Sequence, residues 1–456
     1  MAESINVQTG YDWDTIIGNS LSKLHIEYLK RLIAAQTEGE EEIQNVLGES
    51  LAEFGCEVEK ITYIPSKVNM KGEYSSYNST DDLARTTLVA KAKGEPNLPS
   101  LLIFAHPDSE TIKNTEKWSF DPFSAQKKNG KLFGWGIADD LAGCACAVLA
   151  MQSVVQQKSE KLGNIIFAST PSKRHARGVS AILHDGLTAD ASLYLHPAES
   201  GKGMREIKAV ASGQIEFTIS VLGSVPDTSE PGHTAFSHLG INPIDKAFLL
   251  IEALYALNVE RNERIQHDAI YAAVGRSTNL HISKIVSNDE DRLSRLNQRC
   301  VIGGAISFPP GESLSKVQNE VEQTIRLVAR NDPWLNLNTP EISWISGVTG
   351  AEVDDKSPFY NIVAAAIQKV TGERPHVNPM HTSSDIRNPI VEAGIPCLGI
   401  GCFGGNLSQN NEVDEWIDLK DFGQMVDVTS EIMKGWCSHE QKIRPNGQSQ
   451  NKENNH

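Results

Sequence analysis

Apolar positions fall into two textures along the chain. Up to about residue 205, short wholly apolar runs alternate with stretches of helical period. Leu24, Tyr28, Leu29, Leu32 and Ile33 recur at the spacing of one helix face, as do Val46, Leu47, Leu51 and Phe54, and Gly55 closes the second stretch as a capping glycine would. Residues 58–98 hold strands broken by the polar loop KGEYSSYNSTDD. Residues 101–105 are apolar throughout, 164–168 and 191–195 largely so, and all three are short enough for strands buried on both faces. A helix is expected over 141–157. Such alternation specifies an α/β fold with a mostly parallel sheet.

Near residue 206 the texture changes. Residues 214–222 (QIEFTISVL) alternate, as a strand with one wet face does. A helix running through Leu257, strands at 279–286 and 301–308, and a helix at 313–330 follow. This order describes a small α/β sandwich with one open sheet face. From about 335 the first texture resumes, with helices at 357–371 and 419–437. A chain of 456 residues is too long for one ordinary core. The expected division is a discontinuous α/β domain over 1–205 and 332–440, with a separate unit over 206–331. The polar tail, 441–456, is expected to be disordered.

Composition narrows the function classes. Hydrophobic content of 39% and charged content of 22% are those of a soluble globular protein. The formal net charge of −16 argues against nucleic acid and against anionic membrane surfaces as partners. No run reads as a membrane span, and the N-terminus lacks the basic and apolar regions of a signal peptide. Seven cysteines, an odd number without a paired framework, fit reduced thiols and a cytoplasmic setting. Cys144 and Cys146 lie in an apolar helix start and read as core.

The chemistry concentrates in 101–143. The apolar run ends on His106 and Asp108. A loop with Trp118 and Asp121-Pro122-Phe123 follows, then Gly134-Trp135-Gly136 and Asp139-Asp140 at a helix start. Imidazole and carboxylate on neighbouring loops suit zinc or a similar divalent ion. The Gly-x-Gly here is not a dinucleotide motif, because Asp139 stands where a phosphate would sit.

This stretch resembles the co-catalytic zinc amidohydrolases: aminoacylases, acetylornithine and succinyl-diaminopimelate deacylases, carnosinases and glutamate-releasing carboxypeptidases. The resemblance covers about 20–437. It continues through Pro231-Gly232-His233-Thr234, Ser384-Asp385-Ile386-Arg387, Gly394-Ile395-Pro396 and Asp414-Glu415-Trp416. It implies a metallopeptidase-like α/β domain with an inserted lid and dimerisation domain, hence a homodimer. It also implies a small, amino-acid-like substrate bearing a carboxylate. By the same resemblance, His106 matches a metal ligand, Asp139 the bridging carboxylate and Asp108 the group that orients the ligand His. Arg387 matches the substrate-carboxylate anchor, and His233 a lid residue that reaches the partner's site.

The remainder of the family's site is altered. His196 stands where the family carries an acidic ligand, so His106, Asp139 and His196 form a candidate set for one zinc or similar ion. The family's Thr-x-Asp-Glu-Glu is replaced by Thr170-Pro171-Ser172-Lys173-Arg174-His175, with Lys173 on the general base and Arg174 on a ligand. Asn411 stands where the distant ligand His would be. No acidic residue occurs from Asn164 to Leu183, and no His between 382 and 438, so both losses hold whatever the exact alignment. Three readings follow. One is an enzyme with changed chemistry, a cyclisation or condensation, using Lys173, His175 or His233 as proton carriers. The second is a non-catalytic binding or regulatory homologue. The third is a conventional metal-dependent hydrolase of N-acyl amino acids or dipeptides.

Overall fold

A computed structural model describes residues 23–76, 82–157, 161–173, 175–198, 200–287, 293–379, 381–382 and 384–439. Arg174 and the tail 441–456 lie outside the described residues.

The first sheet has six strands in the order Glu57–Tyr63, Arg85–Ala92, Ile165–Ser169, Leu101–Ala105, Ala191–Leu195, Cys397–Ile400. The last four run parallel, and the first two add an antiparallel edge. Both faces are covered. Leu101, Ile103 and Ala105 point into a core completed by helices Ala142–Gln157, Pro358–Thr371 and Leu419–Cys437, while Leu102 and Phe104 join a second core with Val179, Ile182 and Ile386. That period of two explains why the run is apolar at every position: each face meets its own core. Ile137–Gln157 is long and apolar enough, by length and composition, to cross a membrane, but nine-tenths of its apolar window is buried inside the protein. All seven cysteines are free and buried.

The second sheet runs Asn279–Val286, Arg299–Phe308, Val210–Leu222, Glu341–Val348, Glu73–Ser75. Two of these five strands come from outside 206–331, as do the short strands Ala351–Glu352 and His381–Thr382 that pair with Val210–Leu222. Ile215, Phe217, Ile219 and Val221 pack against helices Pro243–Arg264 and Leu314–Asn331. The alternate residues Gln214, Glu216 and Thr218 face the other way, as the alternation in QIEFTISVL requires. The helix starts are capped by side chains, Asn242 ahead of Pro243 and Ser313 ahead of Leu314.

Parallel strands place their carboxyl ends on one edge of the first sheet, where ligands bind in open α/β sheets. His106, Thr170 and His196 are the residues just past three of those ends. Gly401, past the fourth, has no room for a side chain: a Cβ there would lie 1.7 Å from the His196 carbonyl oxygen.

Candidate active site

The strand ends and the 170–178 loop open onto a cavity of about 650 Å³, with Gln214, Glu216 and Ser346–Val348 of the second sheet on its far wall. His106, only 1% exposed, lies behind the wall formed by Tyr194. Its Nδ1 lies 2.6 Å from the Thr170 carbonyl, so that nitrogen carries a proton and donates. Its Nε2 meets the Tyr194 hydroxyl at 2.9 Å and Asp385 Oδ2 at 3.0 Å. Burial opposes a charge on this ring, but the hydrogen bond and charge of Asp385, with Asp140 and Asp108, outweigh it and raise the imidazole to about 9. For Asp385 the same balance runs in reverse: burial is outweighed by His106 and Ser172, and its carboxyl falls to about 2.

Asp139 and Asp140 sit in one turn, 137–141, where both depart from helical backbone geometry, and take opposite roles. Glu415 builds the turn by accepting from the backbone N–H groups of Gly136, Ala138 and Asp139, and from both donors of Ser408. Asp139 Oδ2 receives the Lys173 ammonium at 2.5 Å, with the side chains 3% and 10% exposed. Although burial opposes its charge, Lys173 and His196 hold Asp139 well below the usual carboxylate range. The pairing likewise holds Lys173 above the ordinary lysine value in spite of burial. Asp140 is pushed well above the usual range, chiefly by burial. Two adjacent carboxyls are thus driven apart by their surroundings.

His196 faces Lys208 Nζ through Nδ1 at 3.0 Å and Asp139 Oδ1 through Nε2 at 3.5 Å. An ammonium only donates, so Nδ1 accepts and the ring proton is on Nε2. Burial and the charge of Lys208 lower this histidine to about 4.

These contacts test the fit of a metal. His106 has one nitrogen donating to a carbonyl and the other bound to Tyr194 and Asp385. His196 Nδ1 faces Lys208, and its Nε2 lies 3.5 Å from Asp139 Oδ1. Asp139 has its other oxygen taken by an ammonium. Asp139 Oδ1 and Asp140 Oδ1 have no hydrogen-bond partner, but both His106 nitrogens are taken, so the set of three ligands a zinc needs is not completed by His106, Asp139 and His196. Among the described residues, no group of three or more His, Cys, Asp or Glu is arranged to hold a metal ion. The residues present therefore do not fit a metal pair, and the expected set of His106, Asp139 and His196 is not assembled for one ion. The Tyr194 ring, 5.1 Å from the His106 ring and 5.0 Å from that of His196, packs against both.

Other expected site residues take different places. Asp108 does not orient His106. Its carboxylate takes Arg85 at 2.8 Å and the backbone N–H groups of Ser172 and Lys173, and so fixes the loop that presents Lys173. Arg387 lines the cavity, but its guanidinium is spent on Glu73, Asn388, Thr349 and the carbonyls of Lys71 and Gly72. His175 lines the cavity with positive φ, its Nδ1 4.0 Å from Glu73. Asn411 is exposed and accepts from Lys113; the cavity is lined by its neighbours Gln409 and Asn410. His233 caps the turn 234–239 through Nδ1 and is not among the cavity's lining residues.

Four participants lacked a ligand-type signal in sequence: Tyr194, Asp385, Lys208 and Glu73. Two were traceable. Tyr194 is two residues before His196 and so shares its strand face, and Asp385 stands in the Ser-Asp-x-Arg landmark. Nothing in the sequence links Glu73 or Lys208 to the site: Glu73 arrives on a strand of the second sheet, and Lys208 in an isolated bridge to Gly399 of the first.

Comparison with known proteins places this geometry in context. The pyrimidine deformylase of Bacillus subtilis, N-formyl-4-amino-5-aminomethyl-2-methylpyrimidine deformylase, is 25% identical over 435 residues, covering 91% of this chain and 95% of that protein. A succinyl-diaminopimelate desuccinylase of Beijerinckia indica is 24% identical over 345 residues, covering 74% and 83%. Among solved structures, an M20 family metallo-carboxypeptidase from Sulfolobus solfataricus superposes with a TM-score of 0.65 at 17% identity, over 91% of this chain and 98% of that one. A Bacillus subtilis protein described as a dinuclear metal binding peptidase superposes at 0.59 and 15% identity, over 90% and 98%. The profile of peptidase family M20/M25/M40 matches residues 102–435, from the strand that carries His106 into the last helix. With that match covering well over half of the chain, the chain belongs to peptidase family M20/M25/M40.

Proposed function

We propose that this chain is an enzyme that activates a carbonyl group of a small, amino-acid-derived molecule with fixed proton donors in place of a metal pair. The observation that carries the reading is the buried ion pair of Lys173 and Asp139: an ammonium sits on the carboxylate at the helix start, and the cavity opens beside it. A fixed positive charge in a site shielded from water stabilises a developing oxyanion without reorganising solvent. Tyr194 also lines the cavity. Its hydroxyl lies 2.9 Å from His106 Nε2 and is proposed to contact the substrate beside that imidazole. His175 stands on the wall as a proton carrier.

Hydrolysis of an amide needs a base for the attacking water. Lys173, held as an ammonium, does not supply one, and a missing general base costs about 10²–10⁴-fold. Attack by a nucleophile carried on the substrate or on a second substrate, which is cyclisation or condensation, places less demand on such a base. The unit over 206–331 is proposed as a lid that pairs two copies of the chain, with His233 directed toward the partner.

The test is an assay of purified protein, with and without added zinc, on N-acyl amino acids and dipeptides, together with metal analysis. Turnover at least about 100-fold below the median enzyme rate of ~10 per second, and less than one zinc per chain, are expected. Ordinary turnover, or two ions per chain, overturns the reading.

A further inference from the structure

The cavity's charges are arranged unequally. Among the described residues, its lysine and two arginines each face an internal carboxylate. Lys173 is paired with Asp139. Arg387 is saturated, with Nη1 3.1 Å from Glu73 Oε2. Arg177 donates through Nη1 to the carbonyls of Pro65 and Val68 and turns Nε to Glu73 at 3.5 Å. Glu73, 8% exposed, thus fills the space between the two guanidinium groups. It is held there by its strand, which pairs with Glu341–Val348 of the second sheet, Glu73 opposite Val348. The acidic walls are differently placed. Glu216 accepts only from neutral groups, the Gln214 amide and the Ser346 hydroxyl, and neither Glu216 nor Glu110 forms an ion pair with a described residue.

We propose that Glu73 is a specificity residue that occupies the paired guanidinium groups of Arg387 and Arg177 from within the chain, so that the cavity selects ligands bearing a protonated amine, met by Glu110 and Glu216, over ligands bearing a carboxylate. A carboxylate entering this cavity would have to displace a buried internal one, and would face two acidic side chains as it did so. An amine-bearing ligand breaks no pair and supplies the charge the wall lacks. The inference rests on the cavity being the active site, as proposed above, and narrows the substrate class to amine-bearing molecules.

Three probes on one benzamide core separate the cases: 4-(aminomethyl)benzamide, 4-carboxybenzamide and uncharged benzamide, with binding measured by calorimetry and ligand-observed NMR at low salt. The cationic probe is expected to bind about 10-fold or more tightly than the anionic one. E110Q/E216Q, at positions that are not fully buried, should bring that preference to within about 3-fold. E73Q should free the guanidinium groups and tighten 4-carboxybenzamide by about 10-fold. Equal or tighter binding of the anionic probe by wild type overturns the proposal. So does a preference unchanged in E110Q/E216Q, or a folded E73Q with no gain for the carboxylate. These are binding measurements without turnover, so their outcome is separate from that of the hydrolysis and metal assays.

Discussion

The Tyr194 hydroxyl lies 2.9 Å from His106 Nε2, on the nitrogen a metal would otherwise claim. The two residues are brought together by register. Phe104 and Tyr194 are direct partners across two parallel strands, with rings stacked at 4.8 Å, and His106 is two residues beyond Phe104 on the same face. Tyr194→Phe should keep the stack and lose the hydrogen bond. Stability is expected to fall by about 1 kcal/mol in urea unfolding, while any activity on an accepted substrate falls much further. Unchanged activity would remove Tyr194 from the reaction.

Lys173→Met should be costly, because it leaves Asp139 charged and buried without its ammonium. The expected loss is on the order of 3–5 kcal/mol. Adding Asp139→Asn removes the orphaned charge, so the double variant should recover much of the loss. A double-mutant cycle by chemical denaturation checks this, and strict additivity would argue that the pair is not coupled.

The His106–Asp385 pair makes stability depend on pH. The folded imidazole is raised to about 9, above an unfolded value near 6.5. Its contribution is therefore fully present below about 6.5 and is lost as pH rises through 9. The difference corresponds to an order of 3 kcal/mol. Asp385→Asn removes the largest of the influences that raise it, leaving Asp140 and Asp108, so the decline of stability between pH 6.5 and 9 should flatten in that variant. Parallel curves for wild type and variant would show that His106 does not titrate there.

Glu415→Gln tests the turn at 137–141. The carboxylate takes three backbone N–H groups and a serine, and a carboxamide turns a donor toward at least one of them. A loss of about 1–3 kcal/mol is expected, with hydrogen exchange rising at 136–141. Retained protection there would mean that the turn holds without Glu415.

Restoring ligands tests the origin of the site. Lys173→Glu, Arg174→Glu and Asn411→His together should raise zinc uptake above that of wild type, read by metal titration. No gain would indicate that Tyr194, Asp385 and Lys208 hold the imidazoles closed to metal even when the missing groups return.

What the sequence by itself determined is whatever depends on short-range pattern. The fully apolar run 101–105, the wet-faced alternation of 214–222 and the helical period of 419–437 each correspond to an element with the same or nearly the same bounds, because periodicity reports directly which faces are buried. The family was legible for a related reason: His106, Asp139 and Asp385-Ile386-Arg387 are fixed in order along the chain. Which side chain meets which was not legible. Asp108 was read as the partner of His106, yet it holds the backbone at Ser172 and Lys173, and Arg387 was read as open to a ligand, yet Glu73, 314 residues away, occupies it. Hydrogen bonds and ion pairs of buried groups are settled by whichever partner the tertiary fold brings within about 3 Å, however distant in sequence. For this site those partners are Tyr194 on His106, Lys208 on His196 and Lys173 on Asp139. Together they convert residue types that suggest a metal into an arrangement of buried proton donors and ion pairs.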